Sequence, residues 1–256
     1  MIILNVSSYK TGGTWLHNIL RAGTTQFKIL KTPKLLELIN KPDDYICKVP
    51  AHCASEDNSK KINLAISYSK LNTPLNILDK IHIYAESESM VEYFSSLDLC
   101  FIMMIRDYRD VIVSRYFHEI ASDRFKGPFS EFFEGSAKKV LREAYLYNQF
   151  WLNVKNRQVA KVHIVNFADL KTNYTDEISN IQLFLGQYAF NVDAVKELNS
   201  IENNRNKFTE EWMESFKKAG GDFYRKGEID DYKNYFSEAQ LNTFNVWLKE
   251  MPVDGN

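Results

Sequence analysis

The sequence predicts an α/β fold in which a central parallel sheet is flanked by helices. Short apolar runs of strand length alternate with segments of helical periodicity, a pattern typical of parallel strands joined by helices. The first apolar run leads through a glycine pair directly into a helical segment. A chain of 256 residues with 45% hydrophobic and 14% aromatic content can bury one sizeable core, and we expect a single domain over residues 1–256.

The elements follow from these runs in chain order. Short runs rich in apolar and β-branched residues predict strands, and apolar residues spaced three or four positions apart predict helices. We predict strands at 2–6, 45–49, 80–85, 99–105 and 161–166. We predict helices at 14–22, 33–40, 88–95, 111–121, 136–156, 175–185, 193–197 and 238–250. Arg106 directly follows a predicted strand and so lies at the carboxyl edge of the sheet, where open α/β folds bind ligands.

The turn after the first strand has the composition of a phosphate cradle. Gly12 and Gly13 carry no Cβ, so the backbone can curl tightly and direct its N–H groups at an anion. The helix that follows adds the positive end of its dipole, and Lys10, Thr11 and Thr14 add charge and hydroxyl donors. The lysine precedes the glycine pair, whereas in a Walker A loop it follows a longer glycine-bounded loop. This order argues against an ordinary ATP or GTP kinase.

Two further segments extend this pattern. Residues 101–118 run from an apolar strand into Arg106 and, eight residues later, Ser114, and residues 223–234 contain an Arg-Lys-Gly sequence. With the glycine turn, these segments resemble the three nucleotide-binding blocks of the sulfotransferases that use 3′-phosphoadenosine 5′-phosphosulfate (PAPS). In that family the blocks read Lys-Ser-Gly-Thr-Thr-Trp, Arg-Asn-Pro-Lys-Asp-x-x-x-Ser and Arg-Lys-Gly-x-x-Gly-Asp-Trp-Lys-Asn, in the same order along the chain.

The resemblance implies a PAPS-dependent sulfotransferase with the P-loop-like nucleotide-binding fold of that family. Such an enzyme transfers a sulfuryl group from PAPS to a hydroxyl or amine group of a small-molecule acceptor, releases 3′,5′-ADP and requires no metal. Two alternatives stay open. One is a small-molecule kinase of the P-loop type, which needs Mg²⁺ and a carboxylate to hold it, and the other is a catalytically inactive module that binds 3′,5′-ADP.

PAPS carries two separated anionic groups, so a protein that binds it needs two separated cationic pockets. By resemblance, the 5′-phosphosulfate pocket comprises Lys10, Thr11, Gly12, Gly13 and Thr14, with Trp15 close to the adenine. The 3′-phosphate pocket comprises Arg106, Ser114, Arg225, Lys226 and Gly227. Phe167 takes the place of the family's tyrosine beside the adenine, and it keeps the aromatic face without the hydroxyl. Lys10 is also the residue expected to neutralise the leaving phosphate.

The base that takes the acceptor proton departs from the family pattern. Soluble family members use a histidine in a Lys-Thr-His turn at a strand end, and some carbohydrate sulfotransferases use a glutamate. His52 follows the lysine-bearing strand at 45–49, two residues later than in the family. Glu86 and His82 better match the family's spacing before Arg106. We take His52 as the catalytic candidate, with Glu86 and His82 as alternatives.

Composition and charge bound the partners. The chain has 32 Lys and Arg residues against 33 Asp and Glu residues, so neither nucleic acid nor an anionic membrane is an expected partner. Cys47, Cys53 and Cys100 contain no Cys-x-x-Cys pair, which argues against a disulfide framework or a zinc site and favours a reducing, cytoplasmic setting. No apolar run has the length of a secretory or membrane segment, so we expect a soluble enzyme.

The segment after the last block bears on assembly. Many soluble family members dimerise there through a Lys-x-x-x-Thr-Val-x-x-x-Glu pattern, and in this chain Glu238 and Asn242 stand where the pattern has valine and glutamate. A two-fold interface would bring two Glu238 carboxylates together and desolvate both. We therefore expect a monomer.

Overall fold

A parallel sheet occupies the centre of the fold. The computed structural model describes residues 2–24, 28–29, 45–48, 99–158, 160–200, 202–204 and 226–251. The strands are β1 (Ile2–Asn5), β2 (Lys28–Ile29), β3 (Tyr45–Lys48), β4 (Leu99–Ile105) and β5 (Lys161–Asn166). Their order across the sheet is β2-β3-β1-β4-β5, and every pairing is parallel. The predicted α/β class with a central parallel sheet is confirmed.

Helices flank this sheet. They are α1 (Gly13–Gly23), α2 (Tyr108–Ala121), α3 (Phe129–Phe132), α4 (Lys138–Asn156), α5 (Phe167–Thr172), α6 (Tyr174–Leu185) and α7 (Glu238–Lys249). A π-helical turn at Phe133–Ala137 joins α3 to α4, and 3₁₀ turns occupy Asp193–Leu198 and Asp231–Asn234. The predicted strand at 80–85 and the predicted helices at 33–40 and 88–95 lie outside the described residues. Within the described part of the chain, no helix combines the length and the apolar character needed to cross a bilayer.

Several local differences from the predicted elements have identifiable causes. α2 begins at Tyr108, three residues earlier than predicted, because the Asp107 carboxylate accepts a backbone hydrogen bond at 2.8 Å and caps the helix. α5 was not predicted and starts directly after β5, where the Asn166 side chain caps it in the same way at 2.9 Å. Residues 193–197 form a 3₁₀ turn and not an α-helix. Side-chain caps therefore decide where α2 and α5 begin.

Strand β4 is buried on both faces. Ile102 and Met104 pack in the cluster that contains residues of α1 and α6. Phe101 instead faces Trp151 of α4, with ring centroids 4.8 Å apart. A strand covered on both sides carries a continuous apolar run, which explains why the predicted bounds of this strand match the observed ones. The carboxyl ends of β1 and β4, which are neighbours, lead into the loops that form the candidate site.

His163 on β5 predicts a pH dependence of stability. Its ring stacks on Phe184 with centroids 5.2 Å apart, and its Nε2 is buried with no hydrogen-bond partner among the described residues. Burial, with a smaller contribution from Lys155, lowers the pKa of His163 from 6.5 to about 4. Between these values the unfolded chain binds a proton that the folded chain does not. Stability is therefore expected to fall as the pH falls from about 6.5 to about 4.

The expected slope is at most about 1.4 kcal/mol per pH unit, the value for one proton. Urea unfolding of the parent protein and of His163→Gln across this pH range measures the slope, since the other titrating groups are common to both proteins. Equal slopes in the two proteins would contradict the assignment to His163.

Candidate functional site

The loop from β1 to α1, residues 6–12, is held by a buried polar network. The fully buried Asn5 side chain donates to the Gly13 carbonyl at 2.7 Å and accepts a bond from the Ser7 N–H at 3.1 Å. The Ser7 hydroxyl also donates to Asn5 and accepts a bond from the Met104 N–H of β4 at 2.9 Å. These bonds fix the β1–α1 loop across the carboxyl edge of the sheet. The sequence signal for this network was Asn5, a polar residue within an apolar run, and no role was predicted for it.

The β1–α1 loop ends in a left-handed turn. Lys10 has φ 67° and Gly12 has φ 102°, both in the region that favours glycine. Gly12 is the N-cap of α1 and provides no side-chain cap, and the first N–H groups of a helix favour an anion. The Thr11 hydroxyl donates to the Ser8 carbonyl at 2.9 Å, so it stabilises the turn itself. At the start of α1 the turn therefore leaves backbone N–H groups, and no capping side chain, available to a ligand.

Both glycines of the turn lie where a side chain would clash. A Cβ on Gly12 would lie 2.6 Å from Met104 Sδ and 2.8 Å from Phe167 Cδ2. A Cβ on Gly13 would lie 2.7 Å from Ser7 Cβ. The turn needs glycine at both positions for space, and at Gly12 also for backbone conformation.

Gly12→Ala is expected to destabilise the protein by roughly 1–3 kcal/mol, because it adds a clash to a positive φ. The matched control is Gly135→Ala in the π-helical turn, where a Cβ would have no atom within 4 Å. Thermal unfolding of both variants measures the difference. Equal stability of the two variants would contradict the packing of the turn against Met104 and Phe167.

Side chains from distant parts of the sequence stack beside the turn. Trp15 is 2% exposed, and its indole N–H donates to the Leu198 carbonyl at 2.9 Å. Its ring meets Phe167 edge to face, with centroids 5.6 Å apart. The Arg106 guanidinium lies 4.3 Å from the centroid of the same Phe167 ring. Phe167 thus contacts both the first block and the second. It is the first residue of α5, and its side chain is part of the hydrophobic core.

Arg106 connects the end of β4 to the third block. Its guanidinium donates to the Glu228 carbonyl at 2.7 Å and lies 3.8 Å from the Asp110 carboxylate. Asp110 in turn accepts hydrogen bonds from the backbone N–H groups of Asp230 at 3.0 Å and Tyr232 at 2.9 Å. The second and third blocks, 122 residues apart at the Arg106 contact, are therefore adjacent in space.

These contacts stabilise the negative charge of the buried Asp110 carboxylate. Asp110 is 2% exposed, and burial raises its pKa, while the Tyr232 N–H and the Arg106 charge oppose that shift. No role for Asp110 was predicted. An acidic residue four positions after Arg106, at the start of a helix, was the available signal.

Lys226 and Gly227 of the third block lie beside this junction. Gly227 has φ 61°, and its carbonyl accepts a hydrogen bond from Lys171 Nζ of α5. Lys226 is exposed, and its Nζ lies 3.7 Å from the Glu228 carboxylate and 3.8 Å from that of Asp231. Lys171, which was not predicted, adds a cation to this side of the site.

The structure links four of the predicted site residues through contacts with Phe167: Gly12, Trp15, Arg106 and Phe167 itself. Lys226 and Gly227 directly precede Glu228, whose carbonyl accepts the bond from Arg106. Ser114 lies partly buried on α2. Arg225 and the base candidates His52, His82 and Glu86 lie outside the described residues. Among the described residues, no group of His, Cys, Asp and Glu side chains is arranged to hold a metal ion.

Comparison with known protein families gives a match over nearly the whole chain. The model of the sulfotransferase domain family matches residues 2–252. The chain belongs to this sulfotransferase family. As a sulfotransferase it is 26% identical to the luciferin sulfotransferase of Photinus pyralis over 164 residues, 58% of this chain and 43% of that protein. The match thus spans less than half of that relative's length.

Solved structures show the same sulfotransferase fold. The mouse sulfotransferase SULT7A1 complexed with PAP matches with a TM-score of 0.61 at 16% identity, over 97% of this chain and 82% of that chain. Retinol dehydratase in a complex with retinol and PAP matches with a TM-score of 0.62 at 15% identity, over 100% of this chain and 83% of that chain.

Proposed function

We propose that this sulfotransferase transfers the sulfuryl group of PAPS to a hydroxyl or amine group of a small-molecule acceptor. The observation that carries the proposal is the junction of the three blocks. The Gly12 turn packs against Phe167, Phe167 stacks on Arg106, and Arg106 bonds the Glu228 carbonyl. Family membership supports the reaction class. Two structural neighbours contain PAP, the 3′,5′-ADP that remains when PAPS has lost its sulfuryl group.

The residues at the junction fit the charges of PAPS. Gly12 and Gly13 carry no Cβ, which lets the backbone N–H groups of the turn approach phosphate oxygens closely. Arg106 supplies a planar guanidinium suited to bidentate phosphate contacts, with Lys171 and Lys226 near the same segment. PAPS is a substrate that is consumed, and it supplies the sulfuryl group on a phosphate leaving group.

Each predicted residue has a defined task in this proposal. Lys10 and the turn at residues 11–14 bind the 5′-phosphosulfate, and Lys10 neutralises the charge that develops on the leaving phosphate. The 3′-phosphate is bound by Arg106, Ser114, Arg225, Lys226 and Gly227, and Trp15 and Phe167 lie on the adenine side. The base stays a prediction, with His52 as first candidate and Glu86 and His82 as alternatives.

The protein is expected to bind 3′,5′-ADP without metal, and on the order of a hundredfold more tightly than 5′-AMP, because the 3′-phosphate meets Arg106 and its neighbours. Titration calorimetry in the presence of a chelator measures both affinities. Similar affinities would contradict a 3′-phosphate pocket at this junction.

The same protein then distinguishes the alternative functions. Formation of 3′,5′-ADP from PAPS in the presence of phenols, alcohols and amines tests the transfer reaction. Preferred binding of ATP with Mg²⁺ would indicate a kinase instead. Binding of 3′,5′-ADP without turnover of PAPS would indicate an inactive binding module.

A further inference from the structure

The side chain of Tyr9 connects the β1–α1 loop to a histidine. Tyr9 directly precedes Lys10, and its hydroxyl is hydrogen-bonded to His118 Nε2 on α2. The two rings meet edge to face with centroids 5.2 Å apart. His118 is 8% exposed and lies one helical turn after Ser114. The pair therefore joins the residue next to Lys10 to the helix that carries a predicted 3′-phosphate ligand.

Charged side chains surround this pair. The Arg115 guanidinium lies 4.3 Å from the centroid of the Tyr9 ring, and the positive charge of Arg124 also acts on the Tyr9 hydroxyl. Glu119 holds both arginines, at 2.5 Å from Arg115 and 2.6 Å from Arg124. Burial raises the pKa of Tyr9, and the two arginines oppose that shift. The arginines thus offset part of the cost of negative charge on the Tyr9 oxygen.

We infer that Tyr9 and His118 together, in place of the three candidates predicted from the sequence, accept the proton of the acceptor hydroxyl, an inference that rests on the proposed function. The Tyr9 hydroxyl meets the acceptor, and His118 receives the proton through it. The geometry is that of a half-buried hydroxyl backed by an imidazole, beside the residue proposed to contact the phosphosulfate. For this transfer His118 must be neutral and carry its proton on Nδ1, so that Nε2 accepts the bond from Tyr9.

The proton and electron movements balance. The acceptor oxygen forms a bond to sulfur while its proton passes to the Tyr9 oxygen, and the Tyr9 proton passes to His118 Nε2. The bond between sulfur and the phosphate oxygen breaks, and its electron pair stays on the phosphate. His118 ends as an imidazolium and returns its proton through Tyr9 to solvent after the product leaves.

Variants Tyr9→Phe and His118→Gln test the inference. Each removes proton transfer and keeps a side chain of similar size. The matched controls are Tyr188→Phe, at an exposed tyrosine, and His163→Gln, at a half-buried histidine on β5. The measured quantity is the rate of 3′,5′-ADP formation from PAPS with phenol, with para-nitrophenol and with water alone. His118→Asn replaces His118→Gln if the latter fails to fold.

Both test variants are expected to lower kcat with phenol by about a hundredfold, the scale of losing general base catalysis. The loss with para-nitrophenol should be at least about tenfold smaller, because a large share of that acceptor is already ionised near neutral pH and the ionised form needs no base. A purely structural role would lower both rates equally. Where neither phenol is accepted, hydrolysis by water is compared, and it should fall like the rate with phenol.

Binding and NMR supply readouts besides activity. Affinity for 3′,5′-ADP should stay within about twofold in both variants, since base removal leaves the nucleotide pocket intact. The ¹⁵N spectrum of the 3′,5′-ADP complex should show His118 Nε2 as an unprotonated acceptor whose signal shifts in Tyr9→Phe. A protonated Nε2, or a signal unchanged in Tyr9→Phe, would overturn the inference.

The variants His52→Ala, His82→Ala and Glu86→Gln complete the test. Loss of turnover confined to one of these three, with Tyr9→Phe and His118→Gln active, would overturn the inference and leave the proposed function in place. A parent protein that neither binds 3′,5′-ADP nor turns over PAPS would overturn the proposed function itself.

Discussion

Replacing Lys10 with glutamine is expected to lower kcat by on the order of a hundredfold or more, the scale of losing one oriented electrostatic contact in the transition state. Lys10 lies in the left-handed turn that closes the β1–α1 loop, two residues before the glycine pair. Its ammonium group is proposed to meet the charge that develops on the leaving phosphate. Glutamine keeps much of the side-chain length and removes the charge. Because that charge develops mainly during transfer, affinity for 3′,5′-ADP should change much less than kcat.

The control for this prediction is Lys126→Gln, since Lys126 is a surface residue paired with Asp123 outside the site. Steady-state rates with PAPS give kcat, and calorimetry gives the affinity for 3′,5′-ADP. A Lys10→Gln protein with a kcat near that of Lys126→Gln would exclude Lys10 from the transfer step.

Replacing Arg106 with methionine is expected to remove most of the preference for 3′,5′-ADP over 5′-AMP, a loss of about a hundredfold for charge-assisted contacts to phosphate. Arg106 is the cation at the junction of the second and third blocks. Its removal also deprives the buried Asp110 carboxylate of its neighbouring positive charge, so the unfolding temperature should fall as well.

Arg109→Met is the matched control for Arg106→Met. Arg109 lies three residues away, pairs with the Asp107 carboxylate and stacks on Tyr232 at 3.9 Å. Arg109→Met should remove only these contacts at the start of α2 and leave the preference for 3′,5′-ADP over 5′-AMP nearly intact. Calorimetry with both nucleotides separates the effects, because 5′-AMP lacks the phosphate that Arg106 is proposed to bind. Equal loss of 3′,5′-ADP and 5′-AMP affinity in Arg106→Met would assign Arg106 to folding alone.

Strands β4 and β5 show what the sequence pattern could predict, since both have the predicted bounds. β4 is apolar on both faces, and so its limits are visible in composition alone. The family resemblance likewise predicted that Arg106 and Phe167 belong to one site, and the structure brings the Arg106 guanidinium to 4.3 Å from the Phe167 ring centroid. Local patterns of this kind depend only on neighbours along the chain.

The contacts that assemble the site could not be predicted in the same way. The bond from Arg106 to the Glu228 carbonyl joins residues 122 positions apart, and Asp110 accepts its hydrogen bonds from backbone N–H groups, which every residue except proline has. The α5 helix was not predicted because it is short and shows no clear helical periodicity. Its start depends on one hydrogen bond, which the Asn166 side chain accepts from the Ala168 N–H. The role of Asn5 could not be predicted either, because its side chain bonds the Gly13 carbonyl only after the β1–α1 loop has folded over it.

The hydrogen bonds that Asp110 accepts from the Asp230 and Tyr232 N–H groups also determine when, during synthesis, the second and third blocks can come together. A ribosome extends the chain from its N-terminus, so β1, α1, β4 and α2 emerge long before the segment that satisfies Asp110. Until residue 232 has left the ribosome, this carboxylate has no N–H partners from that segment and must stay hydrated. The second and third blocks can therefore come together only after residue 232 has been synthesised, and nascent chains that stop before this point cannot assemble the junction between them.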